Sequence, residues 1–401
     1  TPNVGSFVGA ATIRMYAMGM AMGEASPAEL DSMRAAVRWS MEGGAFGIAS
    51  ALIYPPGSYA NTRELIEINK AAAPYGGVYI THIRSEADKF LEGLREAIEI
   101  GVDADVPVEV YHLKAGGMRN WHKPALAIAL IDSARAAGVD IQADMYPYTA
   151  GSTGLTACLP PWTAADGKLL DNIRDPETRL RIREEILHQT EDWENLCQLS
   201  TPENVLILGL EKPENQEYSG LRLAEIAERQ NKHWIETAMD LIESEESRVG
   251  AVYFMMSENN VALQMKQRWI KFGTDAGGAD PDSARGLTHP RAYGTYPRIL
   301  GKYVREEQVM TLEDAVRKMS SAVATRLSIQ DRGILREGLY ADIVMFDPTT
   351  IIDHATFQEP HQLSEGMRHV LVNGVPVVRN GRHTGAKPGM VVRGPGYLGN
   401  R

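Results

Sequence analysis

Apolar and polar positions along this chain fall into short apolar runs and longer periodic stretches that alternate. Val78-Tyr79-Ile80-Thr81-His82, Val108-Glu109-Val110-Tyr111-His112 and Trp269-Ile270-Lys271-Phe272-Gly273-Thr274-Asp275 are short and rich in β-branched and aromatic residues, which predicts strands. Ser26-Pro27-Ala28-Glu29 has the form of a capping box and predicts a helix to about Glu42, stopped at Gly43-Gly44. A strand over 45–52, a helix over 62–73 and the strand ending at His82 follow. A helix to about Ile100 then leads to the strand ending at His112, a helix over 124–137 and a strand over 139–144. Strand and helix alternating in this way predict an α/β protein, a parallel sheet with helices outside it, of the TIM-like (β/α) barrel type.

The rhythm breaks after Tyr148. Between Leu159-Pro160-Pro161-Trp162 and about Ser247 lie a charged helical stretch (Pro176 to Gln189), a strand-like Val205-Leu206-Ile207-Leu208 and more helix, which reads as an inserted lid. The pattern resumes with Val249 to Met255 and the strand to Asp275, and Thr311-Leu312-Glu313-Asp314 opens a helix to about Thr325. Two strand-like runs, 338–346 and 369–378, close the chain, the second containing the hairpin dipeptide Asn373-Gly374. The expected division is barrel over 1–148, insertion over 149–248, the end of the barrel over 249–330 and a small β-structure over 331–401.

Bulk properties narrow the setting. The 401 residues can bury a large core, and 44% hydrophobic with 23% charged residues is ordinary for a globular protein. A net charge of -11 argues against nucleic acid or an anionic membrane as partner, because a phosphate binder needs a basic face. The two cysteines, Cys158 and Cys197, give neither a disulfide framework nor a zinc-binding spacing, which suits a reducing cytoplasm. No apolar run approaches the ~20 residues of a membrane helix. The opening Thr1-Pro2-Asn3-Val4-Gly5-Ser6-Phe7 lacks an initiator Met and runs straight into a strand-like segment, which reads as a sequence continued upstream.

Parallel strands ending in His82, His112 and Asp275 would deliver all three side chains to one rim. Imidazole nitrogens hold a divalent ion without neutralising it, so the ion keeps the Lewis acidity that lowers a bound water's pKa to about 7. A carboxylate beside that water can take its proton and return it to a leaving group. Catalytic zinc takes three protein ligands, so this trio suffices if Asp275 is both ligand and base. A histidine ending a strand is also a common structural residue, and the metal reading rests on the convergence of the three. Lys114 follows His112 by two residues and on a continuing strand would share its face, to bind a carboxylate or to sit as a solvated charge. Tyr146-Pro147-Tyr148-Thr149-Ala150-Gly151-Ser152-Thr153-Gly154 offers hydroxyls at a strand end, as turns also do. Arg291, in His289-Pro290-Arg291, can clamp a carboxylate or form a surface ion pair.

Taken together and in order, Thr81-His82-Ile83-Arg84-Ser85-Glu86, His112-Leu113-Lys114-Ala115, Asp144-Met145-Tyr146-Pro147-Tyr148, Gly273-Thr274-Asp275 and His289-Pro290-Arg291-Ala292-Tyr293-Gly294-Thr295 resemble the N-acyl-D-amino-acid deacylases of the amidohydrolase superfamily. Gly338-Leu339-Tyr340-Ala341-Asp342 and Val372-Asn373-Gly374 extend the resemblance into the tail. It implies a zinc-dependent TIM barrel with a small β-sandwich, here incomplete at the N-terminus. It also implies His82 and His112 as zinc ligands, Asp275 as general base and acid, and Lys114, Tyr146, Ser152 and Arg291 around the substrate. The implied substrate is a small N-acyl-D-amino acid. The chain departs from the family in lacking its His-x-His motif and zinc-binding cysteine. Gly9-Ala10 stands where Gly-His is expected, and Ala49-Ser50-Ala51 where Ser-Thr-Gly is common. The competing readings are a non-catalytic binding protein on the same fold and an amidohydrolase acting on another, cyclic amide.

Overall fold

The computed structural model describes residues 2–188, 193–278 and 280–399. The first five strands, β1 (Val8–Gly9), β2 (Gly47–Ala51), β3 (Val78–His82), β4 (Val108–Val110) and β5 (Ile141–Met145), lie side by side and parallel. The chain then leaves this layer for β6 (Ala150–Gly154), β7 (Val205–Gly209) and β8 (Gly250–Phe254), an antiparallel sheet in the order β6-β8-β7. It returns with β9 (Ile270–Phe272), parallel to β5, so the six-stranded order is β1-β2-β3-β4-β5-β9. The tail forms a four-stranded antiparallel sheet of β10 (Ile343–Phe346), β11 (Met367–Val372), β12 (Val375–Arg379) and β13 (Arg382–His383). Asn373 and Gly374 both take positive φ between β11 and β12, as their sequence predicts.

Local chemistry explains most boundaries. Ser26 Oγ accepts from the Glu29 amide while the Glu29 carboxylate accepts from the Ser26 amide, opening the helix Pro27–Glu42. Its buried stripe of Leu30, Met33, Val37 and Met41 packs into the apolar layer that covers β2 and β3. The helix Phe90–Ala104 runs past Gly101, where a stop was expected. Gly101 instead permits close packing, since a Cβ there would fall 2.3 Å from Val108 Cγ2. The helix from Thr311 is interrupted at Ser320 and continues as Ser321–Arg326. The charged helix of the insertion is Pro176–Leu187, and its predicted end at Gln189 lies outside the described residues.

Three expectations are corrected. The run Val249–Met255 does not rejoin the parallel sheet: β8 pairs antiparallel with β6 and β7, so the excursion lasts from Ala150 to Phe254. A continuous apolar run fits any strand buried on both faces, and sequence alone does not tell which sheet it joins. The strand at His112 stops at Val110. Finally, Cys158 and Cys197 are joined in a disulfide across 39 positions, with 5.2 Å between their Cα atoms. The thiol argument for a reducing cytoplasm therefore falls, because disulfides persist in oxidising compartments. Among the described residues no helix is long and apolar enough to cross a membrane.

At the end of the parallel sheet away from the histidines, the interior is filled by ionic groups. Lys271 Nζ lies 3.0 Å from Glu109 Oε1 and donates to Gln142. Arg326 enters from its helix to meet Glu109 Oε2 at 3.0 Å and Asp140 at 2.8 Å. The insertion has its own apolar core, built on Leu155, Ile182, Val205, Ile235 and Tyr253, and the disulfide lies within it. Cross-linking a loop of this length is worth roughly 4 kcal/mol in a chain-entropy account. Reductant is accordingly expected to lower the unfolding midpoint in guanidinium, and equal midpoints with and without reductant would remove the bond from the account of stability.

Candidate metal centre and active site

His82 ends β3 on the face shared with Ile80, whose register partner is Glu109 on β4. That face looks into the sheet's interior. On β4 the parity is opposite: Val108, Val110 and a continued residue 112 would all face the surrounding helices. A left-handed backbone at His112, with φ 33°, breaks the alternation and turns the ring toward His82. The Asp144 carboxylate holds this turn by accepting the His112 amide at 2.8 Å. Burial and the nearby Glu109 carboxylate raise the Asp144 pKa. The result is a contact of 3.1 Å between His82 Nδ1 and His112 Nε2.

Glu86, on the loop after β3, faces the other edges of both rings. One carboxylate oxygen lies 3.1 Å from His112 Nδ1 and the other 3.5 Å from His82 Nε2. Lys114 Nζ lies 2.7 Å from Glu86 and 2.7 Å from His112 Nδ1. Burial pushes both imidazole pKa values down to about 3, so both rings are neutral. Burial is the largest influence on Lys114 and disfavours its charge, but Glu86, Tyr146 and Asp275 together lift the ammonium above its usual value.

These residues suit a divalent metal. His82, Glu86 and His112 are the one compact group of potential ligands among the described residues, their ligand atoms all within 4.8 Å of one another. His82 Nε2 is buried without a hydrogen-bond partner among the described residues. The Lys114 ammonium already fills the space between Glu86 and His112 Nδ1, which leaves the facing pair, His82 Nδ1 and His112 Nε2, for an ion. Two nitrogens bonded at 2.0–2.1 Å to one tetrahedral ion stand roughly 3.3 Å apart, close to the separation observed. Glu86 then occupies the place of the outer carboxylate that receives the second ring N–H of a metal-bound histidine.

Every residue singled out from the sequence lines one cavity of about 510 Å³. Asp275, also in a left-handed backbone (φ 46°), lies in its wall as the ion-pair partner of Arg291, 2.8 Å from Nη1. Asp275 is therefore outside the compact histidine group, whose carboxylate is Glu86. Arg291 is buried, with its guanidinium 4.6 Å from the centre of the Tyr146 ring. Its Nη2 donates to the Ser152 carbonyl at 3.4 Å, while Nε and Nη1 make no hydrogen bond among the described residues. Neither the solvated charge nor the surface ion pair considered for Lys114 and Arg291 fits, since both are buried. His289 is structural: Nδ1 accepts the Arg291 amide, and the other nitrogen contacts the Ala150 carbonyl. The Tyr146 hydroxyl is buried without a partner among the described residues, and burial raises its pKa so that it keeps its proton. Ala49, Ser50 and Ala51, where the chain departs from the family's Ser-Thr-Gly, line the same cavity, as does Gly9 beside the departing Ala10.

Three further residues support the site and were not singled out from the sequence. Glu86 had a signal, standing four positions after His82 in the run Thr81-His82-Ile83-Arg84-Ser85-Glu86. Asp144 opens the run Asp144-Met145-Tyr146-Pro147-Tyr148. Glu194 had none: it comes from the insertion, and its carboxylate accepts from Ser85 Oγ and from the amides of Glu86 and Ala87.

Neutral paired imidazoles beside a buried carboxylate, at the C-terminal ends of parallel strands in an α/β fold, define a metal-dependent hydrolase of amidohydrolase type. The Amidohydrolase family profile matches residues 219–378. The chain is 34% identical over 390 residues to a D-aminoacylase of Alcaligenes xylosoxydans xylosoxydans, covering 97% of this chain and 70% of that protein. It is 34% identical to an N-acyl-D-glutamate deacylase and 32% identical to an N-acyl-D-aspartate deacylase of the same organism, covering 70% and 68% of those proteins. In the first of these two it is 98% of this chain that matches, and in the second 97%. A D-aminoacylase crystal structure superposes with TM-score 0.80 at 32% identity, covering 98% of this chain and 72% of that one. An N-acyl-D-glutamate deacylase from Bordetella bronchiseptica, solved with zinc and a phosphonate mimic of the tetrahedral intermediate, gives 0.78 at 32% identity over the same shares. The chain belongs to the N-acyl-D-amino-acid deacylase family of the amidohydrolases.

Metal retention tests the assignments. His112→Ala is expected to retain no stoichiometric zinc after reconstitution and desalting. Glu86→Gln is expected to weaken zinc binding roughly 10- to 100-fold. A competitive chelator titration that gives Glu86→Gln the wild-type affinity would remove Glu86 from this role.

Proposed function

We propose that this chain hydrolyses N-acyl-D-amino acids to a D-amino acid and a carboxylate, with zinc as its metal. The observation that carries the reading is the shared cavity, in which the neutral His82–His112 pair and the Arg291–Asp275 pair face one space. The family of the relatives points to the same reaction. His82 and His112 would hold the zinc, which supplies the Lewis acidity that makes water a nucleophile near neutral pH.

The remaining work falls to the chain's own groups. Arg291 pairs with Asp275 through Nη1 and offers its Nε, which makes no hydrogen bond among the described residues, to the substrate's carboxylate. Tyr146, protonated and without a partner among the described residues, donates to the amide oxygen as charge develops there. Ser152 and Lys114 border the same space and take part in holding the substrate. Asp275 accepts one proton of the attacking water and delivers it to the departing nitrogen; the second proton leaves the new carboxyl group for the amine, so that amide and water become a carboxylate and an ammonium. The setting of the reaction is read from Cys158 and Cys197 trapped by alkylation in freshly lysed cells: thiols fit the cytoplasm, a disulfide an oxidising compartment.

Amine release from N-acetyl-D- and N-acetyl-L-amino acids and from cyclic amides tests the reading. Release is expected from the D-series alone. Asp275→Asn should keep its zinc and lose roughly 10²- to 10⁴-fold in kcat, whereas Arg291→Ala should act mainly on KM. A zinc-loaded protein inert toward the whole D-series would leave the non-catalytic binder, and turnover of cyclic amides alone would favour the other amidohydrolase.

A further inference from the structure

We propose that Arg248 selects substrates with an acidic side chain, so that the amides cleaved here are those of N-acyl-D-aspartate or N-acyl-D-glutamate. The inference rests on the deacylase reading and adds the side-chain class. The near-equal identities to the three relatives do not choose among their substrates, but the charges lining the cavity do.

Three cationic side chains border it: Lys114, Arg248 and Arg291. Lys114 holds the Glu86 carboxylate, and Arg291 pairs with Asp275 through Nη1 while its Nε makes no hydrogen bond among the described residues. Arg248 is exposed and has no ion pair or hydrogen bond among the described residues. Its neighbourhood fixes where it lies. The side chain crosses Gly154 of β6, where a Cβ would fall 3.4 Å from Arg248 Nε and 3.6 Å from Cγ. Two residues earlier on β6, the Ser152 carbonyl accepts from Arg291. Strand rise sets these anchor points about 7 Å apart. A substrate whose α-carboxylate sits at Arg291 thus directs a second carboxylate, on a side chain of one or two methylenes, toward Arg248. A substrate with an apolar side chain leaves that guanidinium without an anion, and a dicarboxylate satisfies both arginines.

The test measures kcat/KM of the zinc-reconstituted full chain for N-acetyl-D-glutamate, N-acetyl-D-aspartate and N-acetyl-D-leucine, with Arg248→Leu and Arg248→Lys beside the wild type. The wild type is expected to favour an acidic substrate over leucine. Arg248→Leu should collapse that ratio by roughly 10- to 100-fold, the range of one charge-assisted hydrogen bond, with the change in KM. Arg248→Lys should restore part of it. Preference of the wild type for leucine, or an equal loss on all three substrates in Arg248→Leu, overturns this inference and leaves the deacylase reading standing. Absence of turnover on all three overturns both.

Discussion

One buried carboxylate, Glu86, governs the electrical state of the site. It faces the outer nitrogens of two neutral imidazoles and holds the Lys114 ammonium at 2.7 Å. An unpaired ion in such a place costs several kcal/mol, so the contact with Glu86 supports the charge on Lys114. An ammonium can only donate and a carboxylate can only accept, and both approach His112 Nδ1. The proton on that nitrogen decides which contact is a hydrogen bond. When a cation engages the lone pair on Nε2, Nδ1 carries the proton and turns to Glu86, and Lys114 loses its hold on the ring.

The position of Glu86 depends in turn on a segment remote in sequence. Glu194 gathers Ser85 Oγ and two amides of the Glu86 loop, and it stands three residues before Cys197, which the disulfide ties to Cys158. Burial lifts the Glu194 carboxyl to about 7, while the donors around it favour its anion. The insertion is therefore not a mere cover over the cavity: its cross-linked core holds the loop on which both histidines rely.

The sequence made part of this legible. His82 could be read because a strand of known parity ends on it, and β3 has the predicted bounds. His112 does lie beside His82, but not as a strand end: its strand stops two residues earlier and a left-handed turn aims the ring. Lys114 reaches His112 for the same reason, and not by sharing a strand face. The capping box, the Asn-Gly hairpin and the α/β alternation are local signals and were readable. What was not readable depends on distant partners: the sheet that β8 joins, the pairing of two cysteines with no spacing motif, and Glu194. Asp275 was placed in the right cavity, but its partner Arg291 lies on a different segment, and the carboxylate beside the histidines is another.

The ionic floor of the parallel sheet carries a consequence for traffic. Glu109, Lys271 and Arg326 fill the interior at the end away from the histidines and are buried. Passage through that end of the sheet is thus closed by ion pairs. On the proposed reading the amine fragment keeps its α-carboxylate, so it departs from the open side of the sheet, past the guanidinium of Arg291 in the cavity wall.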